Sequence, residues 1–307
     1  MQKKRLLLIV LSALLALTAC GVPQGETPGQ SAAALQAAST GSQGVEIQFM
    51  PNAPPNQIYD VNQLNAIVEV NNLGRYSLEP QNCFVELSGY DPTIITGMNY
   101  RQSCGLLDGK NPYNLKGGYN QIEFKSGNIL LPANTPTYTP TLRLAACYQY
   151  QTVATPQVCV DPLFYTISSQ QKSCNPGSVQ MSSSQAAPVA VTNVYPQMLG
   201  GKVLFDITIQ NVGGGLVLSP FTSLLSCPNN LGYQDENKVA YSVSMAGGTL
   251  IGCKPESGVV TLNNGQGKMI CQFSIGNSPS FETPLRIELN YNYMKSWLKS
   301  VQIVQTP

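Results

Sequence analysis

The chain has 307 residues, of which only 11% are charged; its formal net charge is +1, and it contains no histidine. Because no basic stripe is present to hold phosphates, the composition argues against a nucleic-acid partner. The lack of histidine removes the commonest general base and the commonest metal ligand. The sequence therefore predicts neither a metal site nor a cofactor.

The first twenty residues have the layout of an export leader. Basic residues at 3–5 precede an apolar run over 6–17, and the sequence Leu17-Thr-Ala-Cys20 follows. A basic start, a short apolar core and small residues before a cleavage point are typical of a secretory signal peptide. Twelve apolar-biased residues are too few to span a bilayer as a helix.

The ending at Cys20 resembles the lipobox of prokaryotic lipoproteins. This resemblance implies that Cys20 carries a diacylglyceryl group and that residues 1–19 are cut off as a lipoprotein signal peptide. We therefore expect an exported protein of the cell envelope that is anchored to the membrane through Cys20. The alternatives are an ordinary secreted leader in which the cysteine occurs by chance, and an uncleaved anchor.

Three further stretches divide the chain after the leader. Residues 20–44 are small and polar without an apolar period, which predicts a flexible tether. Residues 172–187 cluster Ser, Gly, Pro and Gln and are predicted to be a linker. The two regions that flank this linker, 45–171 and 188–307, are the predicted folded domains.

The two predicted domains share sequence patterns in the same order. Leu64–Gly74 aligns with Val203–Gly213, and both alternate apolar with polar residues before an Asn-x-Gly turn. Thr141–Tyr150 aligns with Pro284–Tyr293, and both read Leu-Arg-aliphatic followed by Tyr-x-Tyr. These matches predict a duplicated domain, although convergent strand patterns are the alternative.

Short strands separated by turn residues dominate both domains. Opening strands are predicted at Val45, Ile47 and Phe49 and again at Val189, Val191 and Val194. No apolar stripe of helical period lasts for ten residues after the leader. The pattern favours an all-β fold of two tandem antiparallel β-sandwiches, immunoglobulin-like with about seven strands each.

A family resemblance rests on two short stretches, Ile67–Gly74 and Asp206–Gly213. They resemble CARDB-type and related immunoglobulin-like modules of prokaryotic surface proteins. The resemblance implies an adhesion, scaffold or spacer role, and the family supplies no catalytic residues to carry over.

Eight cysteines remain once Cys20 is assigned to the lipid. An even number in an exported chain predicts disulfides, whereas zinc would need four thiolates without their usual close spacing. Turns at Thr152–Gln157 and Asn263–Gly265 favour the pairs Cys147–Cys159 and Cys253–Cys271. If Cys174 belongs to the second domain, the cysteines divide four and four, which leaves Cys83–Cys104 and Cys174–Cys227. The candidates are Cys83, Cys104, Cys147, Cys159, Cys174, Cys227, Cys253 and Cys271.

The longest irregular stretch, Gly89–Gly118, is the candidate binding region. Its candidate ligand-binding residues are Tyr90, Tyr100, Arg101 and Tyr113. Tyrosine among Gly, Asn and Ser makes adaptable contacts, and loops at the end of a sandwich often carry function. The alternative is a surface loop that Cys104 ties down and whose tyrosines cap the core.

Catalytic patterns are missing from the sequence. The acidic residues are scattered and several adjoin Pro or Gly, as turn formers do. No Gly-x-Ser-x-Gly, P-loop or calcium-loop pattern occurs. Three functional hypotheses remain: a non-enzymatic surface lipoprotein with an adhesion, scaffold or protein-interaction role, a binder of a glycan or another ligand, and an enzyme of unrecognised type. The expected partners are the membrane, through the lipid, and an envelope protein or glycan.

Overall fold

The computed structural model describes residues 28–166, 171–182 and 185–307, which form a nearly all-β structure. The all-β prediction is therefore confirmed. The predicted signal peptide and Cys20 lie outside the described residues. No helix within the described ranges is long and apolar enough to cross a membrane.

Nine strands make up the first half, residues 45–166, and ten strands make up the second half, residues 171–307. The first-half strands are β1 (Val45–Phe49), β2 (Gln57–Tyr59), β3 (Asn65–Asn72), β4 (Cys83–Ser88), β5 (Arg101–Ser103), β6 (Tyr119–Lys125), β7 (Thr137–Tyr138), β8 (Thr141–Ala154) and β9 (Gln157–Val160). The second-half strands are β10 (Val179–Gln180), β11 (Val189–Met198), β12 (Lys202–Asn211), β13 (Leu216–Leu218), β14 (Lys238–Met245), β15 (Thr249–Lys254), β16 (Val259–Thr261), β17 (Gln266–Ser274), β18 (Phe281–Ser300) and β19 (Gln302–Val304).

These strands form four sheets. One sheet has the order β1-β3-β6 and a second has the order β10-β11-β12-β17-β15. The largest, in the order β16-β14-β18-β8-β4-β5, runs through both halves, and β13 and β9 also pair with β18. The fourth sheet, β2-β19-β7, joins the C-terminal strand to the first half.

A single antiparallel ladder, which we call the seam, joins the two halves. β8 and β18 pair from Thr141 opposite Ser300 to Ala154 opposite Ile287, and β9 continues along β18 in the same register. At the other end β19 pairs with β7 and with β2. The last strand of each half therefore pairs with strands of the other half.

The two Tyr-x-Tyr sequences meet at the centre of the seam. Tyr148 lies opposite Tyr293 and Tyr150 lies opposite Tyr291, and all four side chains are buried. The Tyr148 hydroxyl accepts a hydrogen bond from the Val45 amide at 3.0 Å, and the Tyr291 hydroxyl accepts one from the Val189 amide at 3.2 Å. The first residue of the opening strand is thus fixed in the same way in each half.

The Asn-x-Gly turns make a second set of matched contacts. The Asn72 side-chain oxygen accepts hydrogen bonds from the Gly74 amide and the Tyr150 hydroxyl, both at 3.2 Å. The Asn211 oxygen accepts from the Gly213 amide at 3.3 Å and the Tyr293 hydroxyl at 2.8 Å. A Cβ atom at either glycine would collide with that tyrosine hydroxyl, so the turn needs glycine.

One contiguous apolar core extends through both halves. Along β3 every second side chain is buried, including Ala66, Val68 and Val70, and β12 buries Phe205 and Ile207 in the same way. The period-2 pattern read from the sequence therefore corresponds to one buried face on each strand.

The eight candidate cysteines form four disulfides, which confirms the disulfide prediction. Cys83–Cys104 and Cys253–Cys271 pair as predicted. The other two predicted pairs, Cys147–Cys159 and Cys174–Cys227, are wrong. Cys147 pairs with Cys227 across the two halves, and Cys159 pairs with Cys174.

The Cys147–Cys159 prediction rests on a hairpin that does not form, and the Cys174–Cys227 prediction rests on placing Cys174 with the second domain, whereas it bonds to the first half. Thr152–Gln157 is not a reversal, because β9 continues the direction and register of β8 along β18. The Pro156 carbonyl still accepts a hydrogen bond from the Leu285 amide at 2.9 Å, so the ladder passes this proline. Cys147 and Cys159 therefore lie far apart on one extended run.

The predicted tether and linker both contain regular structure where they are described. Helix α1 (Pro28–Ala38) lies inside the predicted tether. This helix has no apolar stripe to reveal it in the sequence, because its alanines favour helix by intrinsic propensity alone. Within the predicted linker, β10 pairs with β11, and Gln185 and Ala186 are buried.

Candidate functional site

The four residues predicted to bind in the Gly89–Gly118 loop occupy different environments. Tyr90 packs partly buried against the core, and burial raises the pKa of its hydroxyl. Tyr100 is exposed, and Tyr113 is 91% exposed on a turn where its amide donates to the Asn111 side chain. Arg101 turns towards the second half.

Arg101 connects β5 to a segment of the second half. Its guanidinium donates to the carbonyls of Leu224 and Leu225 at 2.5 and 2.9 Å. It also lies 3.6 Å from the Glu86 carboxylate and stacks over the Phe84 ring at 5.2 Å. Its described contacts make Arg101 a structural link between the halves.

Glu86 is the buried acid of this contact. Burial raises the pKa of its carboxyl, and the positive charge of Arg101 and a hydrogen bond from Asn229 act in the opposite direction. The Asn229 side chain donates to Glu86 from the second half. Three polar groups of one segment of the second half therefore bond to Arg101 and Glu86: the carbonyls of Leu224 and Leu225 and the side chain of Asn229.

We call the segment that reaches Arg101 and Glu86 the pinned loop, residues 219–235. It lies between β13 and β14 and contains short 3₁₀ turns at Leu224–Ser226 and Tyr233–Asp235. Its ends are joined by a hydrogen bond from the Ser219 amide to the Asp235 carbonyl at 2.7 Å. The two ends of the loop are thus held together independently of its contacts with the first half.

A disulfide and a small core fix the pinned loop to the seam. Cys227 bonds to Cys147 on β8, and both are buried with Leu218. From β18, the Asn292 side chain donates to the carbonyls of Ser219 and Thr222 at 3.1 and 2.8 Å. The loop is therefore held from both central strands of the seam.

Three large apolar side chains point from the pinned loop into solvent. Phe221 is 79% exposed, Leu225 66% and Tyr233 92%. A single exposed apolar side chain is ordinary on a protein surface, but aromatic side chains held on a fixed support can serve as anchors for a partner. The pinned loop is therefore the candidate interaction site.

Sequence reasoning missed this surface. The apolar residues of the run Phe221-Thr-Ser-Leu-Leu225 fit neither the period of a strand nor that of a helix. This lack of a regular pattern was the signal that could have indicated an apolar loop. The loop's attachment to the first half depends on Cys147–Cys227, a pairing that spacing does not determine.

Two of the described aspartates, Asp91 and Asp235, stabilise turns. Asp91 accepts hydrogen bonds from the Thr93 hydroxyl and amide, which lower the pKa of its carboxyl. Asp235 accepts from the Gly232 amide and the Thr222 hydroxyl, which lower its pKa likewise. Among the described residues, no group of three or more Cys, Asp or Glu could hold a metal ion.

Comparisons with known proteins give little further information. No family model matches the chain, and no curated protein matches it. Among solved structures it is similar to the secreted serine protease VesC from Vibrio cholerae, at 10% identity and a TM-score of 0.19. The match covers 81% of this chain and 50% of that protein, so the chain spans half its length. A TM-score this low carries no argument about fold or activity.

Proposed function

We propose that the chain is a lipid-anchored cell-envelope protein with a non-enzymatic role in adhesion, scaffolding or protein interaction. Its body consists of two tandem immunoglobulin-like β-sandwiches related to CARDB-type modules. In each half, the opening strand of a smaller sheet contacts the largest sheet: β1 contacts β8 and β18, and β11 contacts β8. The matched tyrosine and asparagine contacts support a duplication that covers 45–171 and 188–307.

The observation that carries this proposal is the pinned loop. Phe221 and Tyr233 are exposed on a segment that a disulfide, Arg101 and Asn292 hold in place. Little conformational entropy is lost when a rigid loop binds, so its aromatic groups can contribute most of their contact energy to affinity. Such a surface suits a protein partner in the envelope.

Binding to cell envelopes is expected to depend on the pinned loop. The double substitution Phe221→Ser and Tyr233→Ser should weaken binding of the protein to isolated envelopes by at least about tenfold, because aromatic hot spots contribute about 2 kcal/mol or more each. Fluorescently labelled protein, residues 21–307, titrated against envelope preparations gives the affinity.

Tyr113→Ser is the matched control, because Tyr113 is as exposed as Tyr233 but lies on the Gly89–Gly118 loop. It should leave binding unchanged. The assignment would be contradicted if the Tyr113 variant lost binding while the pinned-loop variant still bound normally. The binding site would then lie on the Gly89–Gly118 loop that the sequence predicted.

Lipid attachment at Cys20 is the second expected outcome. The natural protein should stay with membranes after high-salt washing, since two acyl chains anchor a protein stably. Cys20→Ser should lose the lipid and be released from washed membranes. Mass spectrometry of the mature N-terminal peptide checks both results, and a mature N-terminus without lipid on Cys20 would refute lipidation.

A further inference from the structure

A shallow cavity of about 420 Å³ opens on the first half, away from the pinned loop. Residues 52–67 line it, including the β2 strand and the turn before it. Five of its lining side chains are carboxamides and one is an exposed tyrosine. They are Asn52, Gln57, Asn62, Gln63, Asn65 and Tyr59.

The carboxamides are available to a ligand. No described residue hydrogen-bonds the side chains of Asn52, Gln57, Asn62 or Gln63. Asn65 donates to Glu123 at 2.7 Å, but its side-chain oxygen is buried without a partner. Elsewhere in the chain, carboxamides such as those of Asn72 and Gln185 bond to backbone groups. The buried oxygen of Asn65 and the four exposed carboxamides beside it therefore leave donors and acceptors free at this cavity.

The chemistry of the lining selects the ligand class. Each carboxamide offers two donors and an acceptor, which match the hydroxyls of a sugar, and none of the lining side chains is charged. Tyr59 is 45% exposed and presents a ring on which the apolar face of a sugar can stack. We infer that this cavity binds a neutral saccharide.

The C-terminal strand β19 pairs with β2, the strand that lines one side of the cavity. β19 pairs in parallel with β2, with Val304 beside Tyr59, and the Asp60 amide donates to the Val304 carbonyl at 3.0 Å. The Lys299 ammonium donates to the Pro54 carbonyl at 2.6 Å and so fixes the turn. The second half therefore supports the lining segment, although every lining residue belongs to the first half. The assignment of this cavity is independent of the proposed function.

The test titrates residues 21–307, the mature chain without Cys20, with neutral tetrasaccharides of glucose, mannose and N-acetylglucosamine, and with tetragalacturonate as the acidic counterpart. Side-chain amide signals in proton–nitrogen NMR spectra report which carboxamides respond. At least one neutral sugar should bind with a Kd on the order of 1 mM and shift the signals of Gln57 and Asn62. These signals are assigned by their loss in Gln57→Glu and Asn62→Asp.

Tyr59→Ala should weaken that binding about tenfold, and Asn62→Ala about fivefold, as expected for loss of a stacking face and of one hydrogen bond. Tyr195→Ala is the matched control, because Tyr195 is 46% exposed on β11, and it should change nothing. The inference is overturned if none of the neutral sugars binds at about ten times that concentration, if only the acidic sugar binds, or if Tyr59→Ala and Asn62→Ala bind normally.

Discussion

Removal of the Cys147–Cys227 disulfide by paired Cys→Ser substitution is expected to lower the free energy of unfolding by about 4 kcal/mol. This bridge has a sequence separation of 80, the largest of the four. Its loss therefore raises the conformational entropy of the unfolded chain more than loss of any other bridge. It also detaches the pinned loop from β8. Urea unfolding measures the first effect, and amide hydrogen exchange at residues 224–230 measures the second.

The control is the paired Cys→Ser variant of Cys253 and Cys271, whose separation is 18 and which lies within the second half. Chain entropy predicts a smaller loss of about 3 kcal/mol. Its exchange rates in the pinned loop should match those of the natural protein. If both variants leave the pinned loop equally protected, the disulfide does not fix the loop.

Alkaline pH is expected to unfold the protein within about two pH units above pH 10. Burial raises the pKa of Tyr148, Tyr150 and Tyr291, and it raises that of Tyr293 to about 12. In the unfolded chain tyrosine ionises near pH 10. The folded state therefore holds protons that the unfolded state releases, and stability is complete below about pH 10 and lost as pH rises further.

The steepness of this transition follows from the number of buried tyrosines. Each contributes up to about 1.4 kcal/mol per pH unit, so the four together contribute roughly 5. Tyrosinate absorbance and the fluorescence of the single Trp297 should change together at the transition. Tyr291→Phe should reduce the steepness. Complete ionisation of all 15 tyrosines with unchanged Trp297 fluorescence would show that these four are not buried.

Local patterns in the sequence predicted several of the strands and the turns that end them. The alternation in Leu64–Val70 and Val203–Ile209 corresponds to buried faces, and the Asn-x-Gly and Tyr-x-Tyr signals correspond to groups that bond to each other. These features are local, or repeat within the chain, and therefore leave a periodic signature.

The pairing of β9 and β19 with strands of the other half could not be predicted. Periodicity shows which face of a strand is buried but does not name the neighbour with which the strand pairs. Thr155-Pro156 resembles a turn, yet the strand passes through it because the Pro156 carbonyl still accepts from Leu285. The hairpin error produced the wrong Cys147–Cys159 pair, and the assignment of Cys174 to the second domain produced the wrong Cys174–Cys227 pair.

The candidate interaction site could not be predicted either, because it also depends on contacts between distant parts of the chain. Arg101 was predicted to meet a ligand, and it meets the Leu224 carbonyl, 123 residues away in the chain. Phe221 and Tyr233 are exposed on a loop that the Cys147–Cys227 disulfide attaches to β8. Contacts at such separations depend on the assembled fold rather than on any local pattern.

Disulfide mapping tests most directly whether the two halves are locked into one body at the seam. Protease digestion of the purified protein without reduction, followed by mass spectrometry, should yield a peptide pair that joins Cys147 to Cys227 and another that joins Cys159 to Cys174. A pair that joins Cys147 to Cys159, or Cys174 to Cys227, would contradict the continuous seam and the pinned loop together.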